Sequence, residues 1–430
     1  MSDTPNDAPS SLAPLTSSPD APSAVTRFIR GVAVAVVGST SANLLIAFGG
    51  VLIARALGVG RYGSYTTLMA SIGLLSNLLG LGLDTWLIHH GSRQPGGLLA
   101  SAWQVLYVKF IGAVLVIIAI AALAWSNSNL GEVNLLLGCV AIIFDGFTRT
   151  GLASLRARMQ NLRLAILEAA GPALFIALFY LFTQNTISIG AVLLAQATGN
   201  AVILAAAYSI ALRGGARPKP RIRELLRMAW VFIASDMVAN IYSLIGIAVL
   251  GAIAGGAAAG LFKPALSVIA FTYIVPNLMF SVGLPLLNRS LGDKNYGRIV
   301  AAMTSCAFAY GIAAAIALLW KGDLLISTIF GAQYVAALPF VHLMSLIPLL
   351  KAVSYVCAAV MLSRGQQMVR LGLQAVVAVV SLASSLLLIP HFAAVGAAWS
   401  QIIIELMLLG LYAAGALWST RRPPLTRNAA

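Results

Sequence analysis

Long apolar stretches broken by short polar gaps occupy almost the whole chain from residue 32 to residue 418. A helix of about 20 apolar residues crosses the hydrocarbon of a bilayer. On that length the pattern predicts spans near 32–54, 65–88, 103–126, 132–150, 164–183 and 188–212. A second set is predicted near 228–252, 261–287, 299–320, 338–362, 371–389 and 394–418. The expected fold is an all-α integral membrane protein of about twelve transmembrane helices in two six-helix lobes. The lobes cover 27–212 and 228–420, joined by a basic linker at 213–227 and flanked by tails at 1–26 and 421–430.

The gaps alternate in charge. Of 27 Lys and Arg residues, 21 fall in every second gap or in the tails. These gaps hold Arg93; Arg149, Arg156, Arg158 and Arg163; Arg213, Arg217, Lys219, Arg221, Arg223 and Arg227; Arg289, Lys294 and Arg298; and Arg364 and Arg370. The gaps between them contain only Arg55, Arg61 and Lys321. Basic residues stay on the cytoplasmic side during insertion, so both termini are expected in the cytoplasm. Trp86, Trp103, Trp125, Trp230, Trp320, Trp399 and Trp418 all lie near a predicted helix end. There an amphipathic ring prefers the headgroup layer.

Composition narrows the function classes. Hydrophobic residues make up 60% of the chain and charged residues 9%, where a soluble domain carries roughly a quarter charged. A net charge of +15 raises nucleic acid as a partner. Short loops beside apolar spans instead fit membrane orientation and contact with anionic headgroups, and no nucleic acid is expected. Cys139, Cys306 and Cys357 lie inside apolar stretches at unrelated spacings, so neither a disulfide framework nor a metal site is expected. Residues 1–26 lack the basic start and apolar core of a signal peptide and read as a disordered tail. His89, His90, His342 and His391 share no ligand spacing. No Walker A sequence or catalytic constellation is discernible, so no cofactor and no enzyme activity are expected.

The two halves echo each other. A shift of 197 pairs Gly58 with Gly255, Gly63 with Gly260 and Tyr65 with Phe262. A shift of 207 pairs Gln160, Arg163 and Leu164 with Gln367, Arg370 and Leu371. An even number of helices per repeat gives both lobes the same direction, so a pseudo-twofold axis along the membrane normal is expected. Transporters rock two such lobes about a central cavity.

Three segments carry a family resemblance: RALGVGRYGSYTTLMA (55–70), FGAQYVAALPFVHLMSLIPLL (330–350) and LIPHFAAVGAAWSQIIIELMLL (388–409). With them the chain, over roughly 27–420, resembles the Wzx-like oligosaccharide flippases of the polysaccharide biosynthesis family. That family belongs to the superfamily that also holds multidrug antiporters and the lipid II flippase. Phe392 and Ala393 stand where it often has an aromatic residue and Gly. The resemblance implies a flippase of the bacterial cytoplasmic membrane that moves a polyprenyl-diphosphate-linked oligosaccharide by alternating access for surface or exopolysaccharide assembly. It also implies membrane lipids, a proton or Na⁺ gradient and a polysaccharide polymerase as partners. A cation-coupled multidrug antiporter is the alternative. An integral-membrane glycan enzyme is disfavoured, since the outer gap 321–337 holds only Lys321 and Asp323 as charged residues.

Charges inside spans face the bundle interior or water, which selects the candidate site. Lys109 reads either as a phosphate ligand at the cavity mouth or as a structural cation paired with Asp145, which itself sits at i,i+4 from Arg149. Lys351 and Glu405, both near mid-membrane, are expected to bridge, with ion coupling through Glu405 as the other reading. Asp236 and Asn240 on the seventh span, and Ser39, Ser41 and Asn43 on the first, form matching polar patches expected to border the cavity. Asp236 reads as a proton or Na⁺ ligand or as part of a local hydrogen-bond network. Lys263 reads as snorkelling to headgroups or as lining the portal. Pro264, Pro276 and Pro285 predict a bent eighth helix.

Overall fold

A computed structural model of the protein describes residues 24–80, 82–93, 97–126, 132–211, 219 and 221–421. Side chains are placed for 38–80, 82–91, 97–122, 133–211, 219 and 221–419. The N-terminal tail up to residue 23, linker residues 213–218 and 220, and the C-terminal tail from 422 lie outside the described residues.

Three helices, Ala24–Leu75, Ile222–Phe271 and Gln367–Arg421, are too long for one crossing. Straight, each would run about 75–83 Å against a hydrocarbon layer of roughly 30 Å. Each holds one non-helical residue: Gly58 (φ 72°, ψ 170°), Gly255 (φ 83°, ψ 172°) and Ala393 (φ 47°, ψ −125°). The chain reverses at these points. The Ser384 and Ser400 hydroxyls, 16 positions apart, stand 2.6 Å from each other, where a straight helix would separate them by about 24 Å. Tyr242 and Leu266 likewise line one small cavity.

Among the described residues eight helical units are long and apolar enough to cross a membrane, or nine when the bent pair Ala332–Leu343 and Ile347–Ser363 counts as one. Dividing three of the nine at their reversals gives twelve. They are α1 (24–57), α2 (59–93, interrupted around Gly80–Gly82), α3 (Leu98–Ser126), α4 (Glu132–Ala157), α5 (Asn161–Thr183) and α6 (Ile189–Ala211). The second lobe holds α7 (222–254), α8 (256–289), α9 (Tyr296–Ile329), α10 (338–363), α11 (367–392) and α12 (394–421). The protein is a multi-pass membrane protein of all-α fold. Its outward apolar side chains suit lipid rather than water: Trp320 is 78% exposed and Leu387 is 69% exposed.

Two boundaries differ from the sequence pattern for local reasons. α10 is bent by 51° at residues 344–346 instead of running straight. α8 breaks at Thr272–Tyr273, ahead of Pro276. Pro276 has no N–H to give the Thr272 carbonyl four residues back. The Tyr310 hydroxyl on α9 donates to that carbonyl instead, at 2.6 Å. The break is thereby satisfied inside the bundle, as membrane burial requires.

The repeat is visible in backbone detail. Gly58 and Gly255 adopt nearly the same left-handed, extended conformation, which a side chain would resist. Gly63 and Gly260, also paired by the repeat, meet at the pseudo-axis. A Cβ added to Gly63 would overlap the Gly256 oxygen and come 2.5 Å from the Gly260 nitrogen. From there α2 descends antiparallel to α7. Gly73 packs on Leu244, Gly82 on the Phe232 backbone, and Asn240 Nδ2 donates to the Gly73 oxygen at 2.9 Å and to Asn77 Oδ1 at 3.0 Å.

At the end of the bundle that carries the basic gaps, α1 and α8 each lean on their own lobe. Gly38 and Gly49 seat α1 against Ala165 and Phe175 of α5, and α8 packs on α9 and α10. Thr40, Ser41 and Asn43 of α1 and Asn277 and Ser281 of α8 stay exposed.

Candidate functional site

Two charged clusters form, one in each lobe. In the first lobe, Asp84 of α2 is the hub. Its Oδ2 accepts from Lys109 Nζ at 2.6 Å and its Oδ1 from Thr150 Oγ1 at 2.8 Å. Lys109 also donates to the Gly146 oxygen at 2.6 Å and is 2% exposed. The partner of Lys109 is therefore Asp84, and the Lys109–Asp145 pairing expected from depth alone is not formed. Lys109 ties α2, α3 and α4 together and does not face the cavity.

Asp145 and Arg149 pair with each other at 2.8 Å, with side chains 43% and 59% exposed. Arg149 also lies within electrostatic range of Asp84 and of Asp236, which belongs to the other lobe. Asp236 is half-buried and accepts from Thr85 Oγ1 of α2 at 3.1 Å. Arg149 stands eight residues from the end of α4, about 12 Å into the bundle. Its guanidinium is exposed on the lobe boundary, at the end of the bundle that carries the basic gaps.

In the second lobe, Lys351 of α10 and Glu405 of α12 pair at 2.7 Å, 8% and 1% exposed. The ammonium sits 5.3 Å from the Tyr273 ring centroid and 5.9 Å from that of Tyr355, within cation–π range. Gln401 Nε2 donates to Glu405 Oε1 at 3.4 Å, while Glu405 Oε2 and the Tyr273 hydroxyl, both buried, have no hydrogen-bond partner among the described residues. Arg370 of α11 donates to the Tyr412 hydroxyl at 3.4 Å.

The other expected residues are dispersed. Ser39 donates to Glu168 Oε2 at 3.1 Å, and Glu168 also pairs with Arg156. Asn43, one turn further along α1, is exposed and makes no hydrogen bond among the described residues. Lys263 is half-buried and forms no ion pair there either. Asn240 serves the α2–α7 contact. Helical spacing could not reveal Asp84 as the hub, because depth along a helix leaves rotation about its axis open. Tyr273 and Tyr355 carried no signal beyond being aromatic residues inside spans.

These features define a two-lobed helical membrane protein with an exposed charged patch between its lobes. The sequence profile of the polysaccharide biosynthesis protein family matches residues 28–289, more than half of the chain. The chain belongs to that family. It is similar in structure to an inward-facing multidrug resistance MATE family transporter of the MOP superfamily, at a TM-score of 0.71 and 16% identity, covering 90% of this chain and 96% of that one. It is also similar to the lipid II flippase MurJ in an inward closed conformation, at a TM-score of 0.70 and 13% identity, covering 90% and 87%. A MOP superfamily transporter from Pyrococcus furiosus matches at a TM-score of 0.64 and 16% identity, covering 92% and 95%. At these identities the likeness establishes the fold. No curated protein sequence matches the chain.

Proposed function

We propose that the protein is a flippase that carries polyprenyl-diphosphate-linked oligosaccharide across the bacterial cytoplasmic membrane by rocking its two lobes, with its basic end and both termini in the cytoplasm. Family membership supports the polysaccharide role. The observation that carries the mechanism is Arg149, an exposed guanidinium about two turns in from the basic end of α4, at the lobe boundary.

A diphosphate crossing hydrocarbon needs a cation that can leave its resting partner. Exposed i,i+4 ion pairs are worth about 0.3–0.5 kcal/mol, so exchanging Asp145 for a phosphate costs Arg149 little. A guanidinium also meets phosphate oxygens bidentately, adding geometry to charge. Lys109 cannot serve this way, because removing it would strand a carboxylate in a nearly dry site. Thr40, Ser41 and Asn43, with Asn277 and Ser281, give hydrated sugars hydroxyl and amide partners along the α1–α8 gap. The same gap leaves the polyprenyl tail in lipid. In this reading a proton or Na⁺ gradient drives the cycle, and a polysaccharide polymerase takes the product.

The test is genetic and chemical. Removing the protein should stop polymer output and trap lipid-linked repeats on the inner leaflet. Arg149→Ala should cut transport by tenfold or more with the protein still folded, and Arg149→Lys should recover part of the rate. Unchanged polymer output in Arg149→Ala would reject the role given to Arg149. The antiporter reading rests on Asp236 as the coupling carboxylate. It predicts drug hypersusceptibility with intact polymer when the protein is removed.

A further inference from the structure

The two segments RALGVGRYGSY and FGAQY lie far apart in the chain and in different lobes. They meet at the end of the bundle opposite the basic gaps. Arg55 Nε donates to the Ile329 oxygen at 2.9 Å, and its Nη2 donates to the Thr328 oxygen. In return, Tyr334 Oη donates to the Ala54 oxygen at 2.7 Å and Gln333 Nε2 donates to the Arg55 oxygen at 3.3 Å.

All four acceptors are carbonyls in the last turn of a helix, α9 for one pair and α1 for the other. Such carbonyls have no partner within their own helix. A cation at a helix C-terminus also meets the negative end of its dipole. Each lobe thus caps a helix end of the other. Around the exchange, Tyr62 packs edge-on to Tyr334 at 6.2 Å between centroids, Phe330 packs on Tyr334 at 5.9 Å, and Tyr334 is fully buried. Arg55 stands on the side that is otherwise nearly free of basic residues, where orientation gives it no purpose.

We propose that residues 54–65 and 328–334 form an interlobe latch that holds this end of the transporter closed. Opening that end must break the reciprocal caps together, so the latch sets the balance between the two facing states. The idea rests on the rocking motion proposed above. Its test needs neither substrate nor knowledge of sidedness, so it can fail separately from the flippase reading.

Spin labels at Ile187 in the first lobe and Leu324 in the second, both exposed near the latched end, would report its opening by electron–electron distance measurement. A second pair, Leu162 and Leu286, would report the basic end. The full chain would be used in lipid nanodiscs, with Cys139, Cys306 and Cys357 replaced by Ala. In Arg55→Ala/Tyr334→Phe the long-distance population of the Ile187–Leu324 pair should rise about tenfold over the parent, the size expected for losing a few net hydrogen bonds. The Leu162–Leu286 distances should shorten in parallel. Unchanged populations in the folded double variant would overturn the latch. If the double variant does not fold, Tyr334→Phe alone decides: it removes one hydroxyl and should give a rise of about threefold, and no rise there rejects the proposal equally.

Discussion

Gly63→Val is expected to abolish transport while leaving each lobe folded. The Cβ of residue 63 would overlap main-chain atoms of Gly256 and Gly260 in the opposite lobe. Main chain cannot rotate away as a side chain does, so the lobes must part there. Forcing extra carbons into a tight contact costs about 1–3 kcal/mol. Within one lobe that cost would lower stability. Between two lobes that move relative to each other it falls mainly on the closed state, shifting the conformational balance about five- to 150-fold. Initial transport rates and the Ile187–Leu324 distance together check this. A normal rate with closed-state distances would show that the glycine contact has no part in the cycle. Gly255→Val should act similarly but through the backbone, since nothing lies within 4 Å of its added Cβ while its φ is +83°.

Lys351→Met is expected to be the most destabilising single change in the second lobe. It strands Glu405, which is 1% exposed and already has one oxygen without a hydrogen-bond partner among the described residues. Breaking a buried pair from one side costs about 3–5 kcal/mol. Replacing both partners, as in Lys351→Met/Glu405→Leu, should restore most of that stability, because an apolar pair of similar volume carries no desolvation penalty. Lys109→Met should cost less. The Asp84 side chain it leaves behind is 18% exposed and keeps its bond from Thr150. Thermal unfolding in detergent measures these three variants and Glu405→Leu alone, and strictly additive losses at Lys351 and Glu405 would reject the pairing.

Why some of this was legible in the sequence follows from what periodicity encodes. Span length and basic gaps report the bilayer directly, so the helix positions emerged close to their observed places. The 197-residue shift linking Gly58 to Gly255 was legible because both residues must hold a conformation that favours glycine. The corners were not. The pattern left a gap near 55–64, whereas the helices run up to single reversing residues, because small residues let backbones meet without a loop. Lys351–Glu405 was readable from two lone opposite charges at equal depth. Of the two pairings open to Asp145, the i,i+4 pair with Arg149 forms, and Lys109 turns to Asp84, since both acids lie at suitable depth and only packing decides which one faces it. Nothing in the pattern around Arg55 points to the α9 carbonyls it meets, because only the tertiary structure brings the two segments together.

In the proposed cycle a charged sugar headgroup passes between leaflets along the lobe boundary at Arg149. The most direct measurement uses purified protein in vesicles loaded with polyprenyl-diphosphate-linked oligosaccharide and follows the fraction that an external lectin can reach. Accessible substrate should grow much faster with the native chain than in protein-free vesicles, and Arg149→Ala should remove most of the gain. Equal rates with and without the native chain, under an imposed proton or Na⁺ gradient, would contradict it.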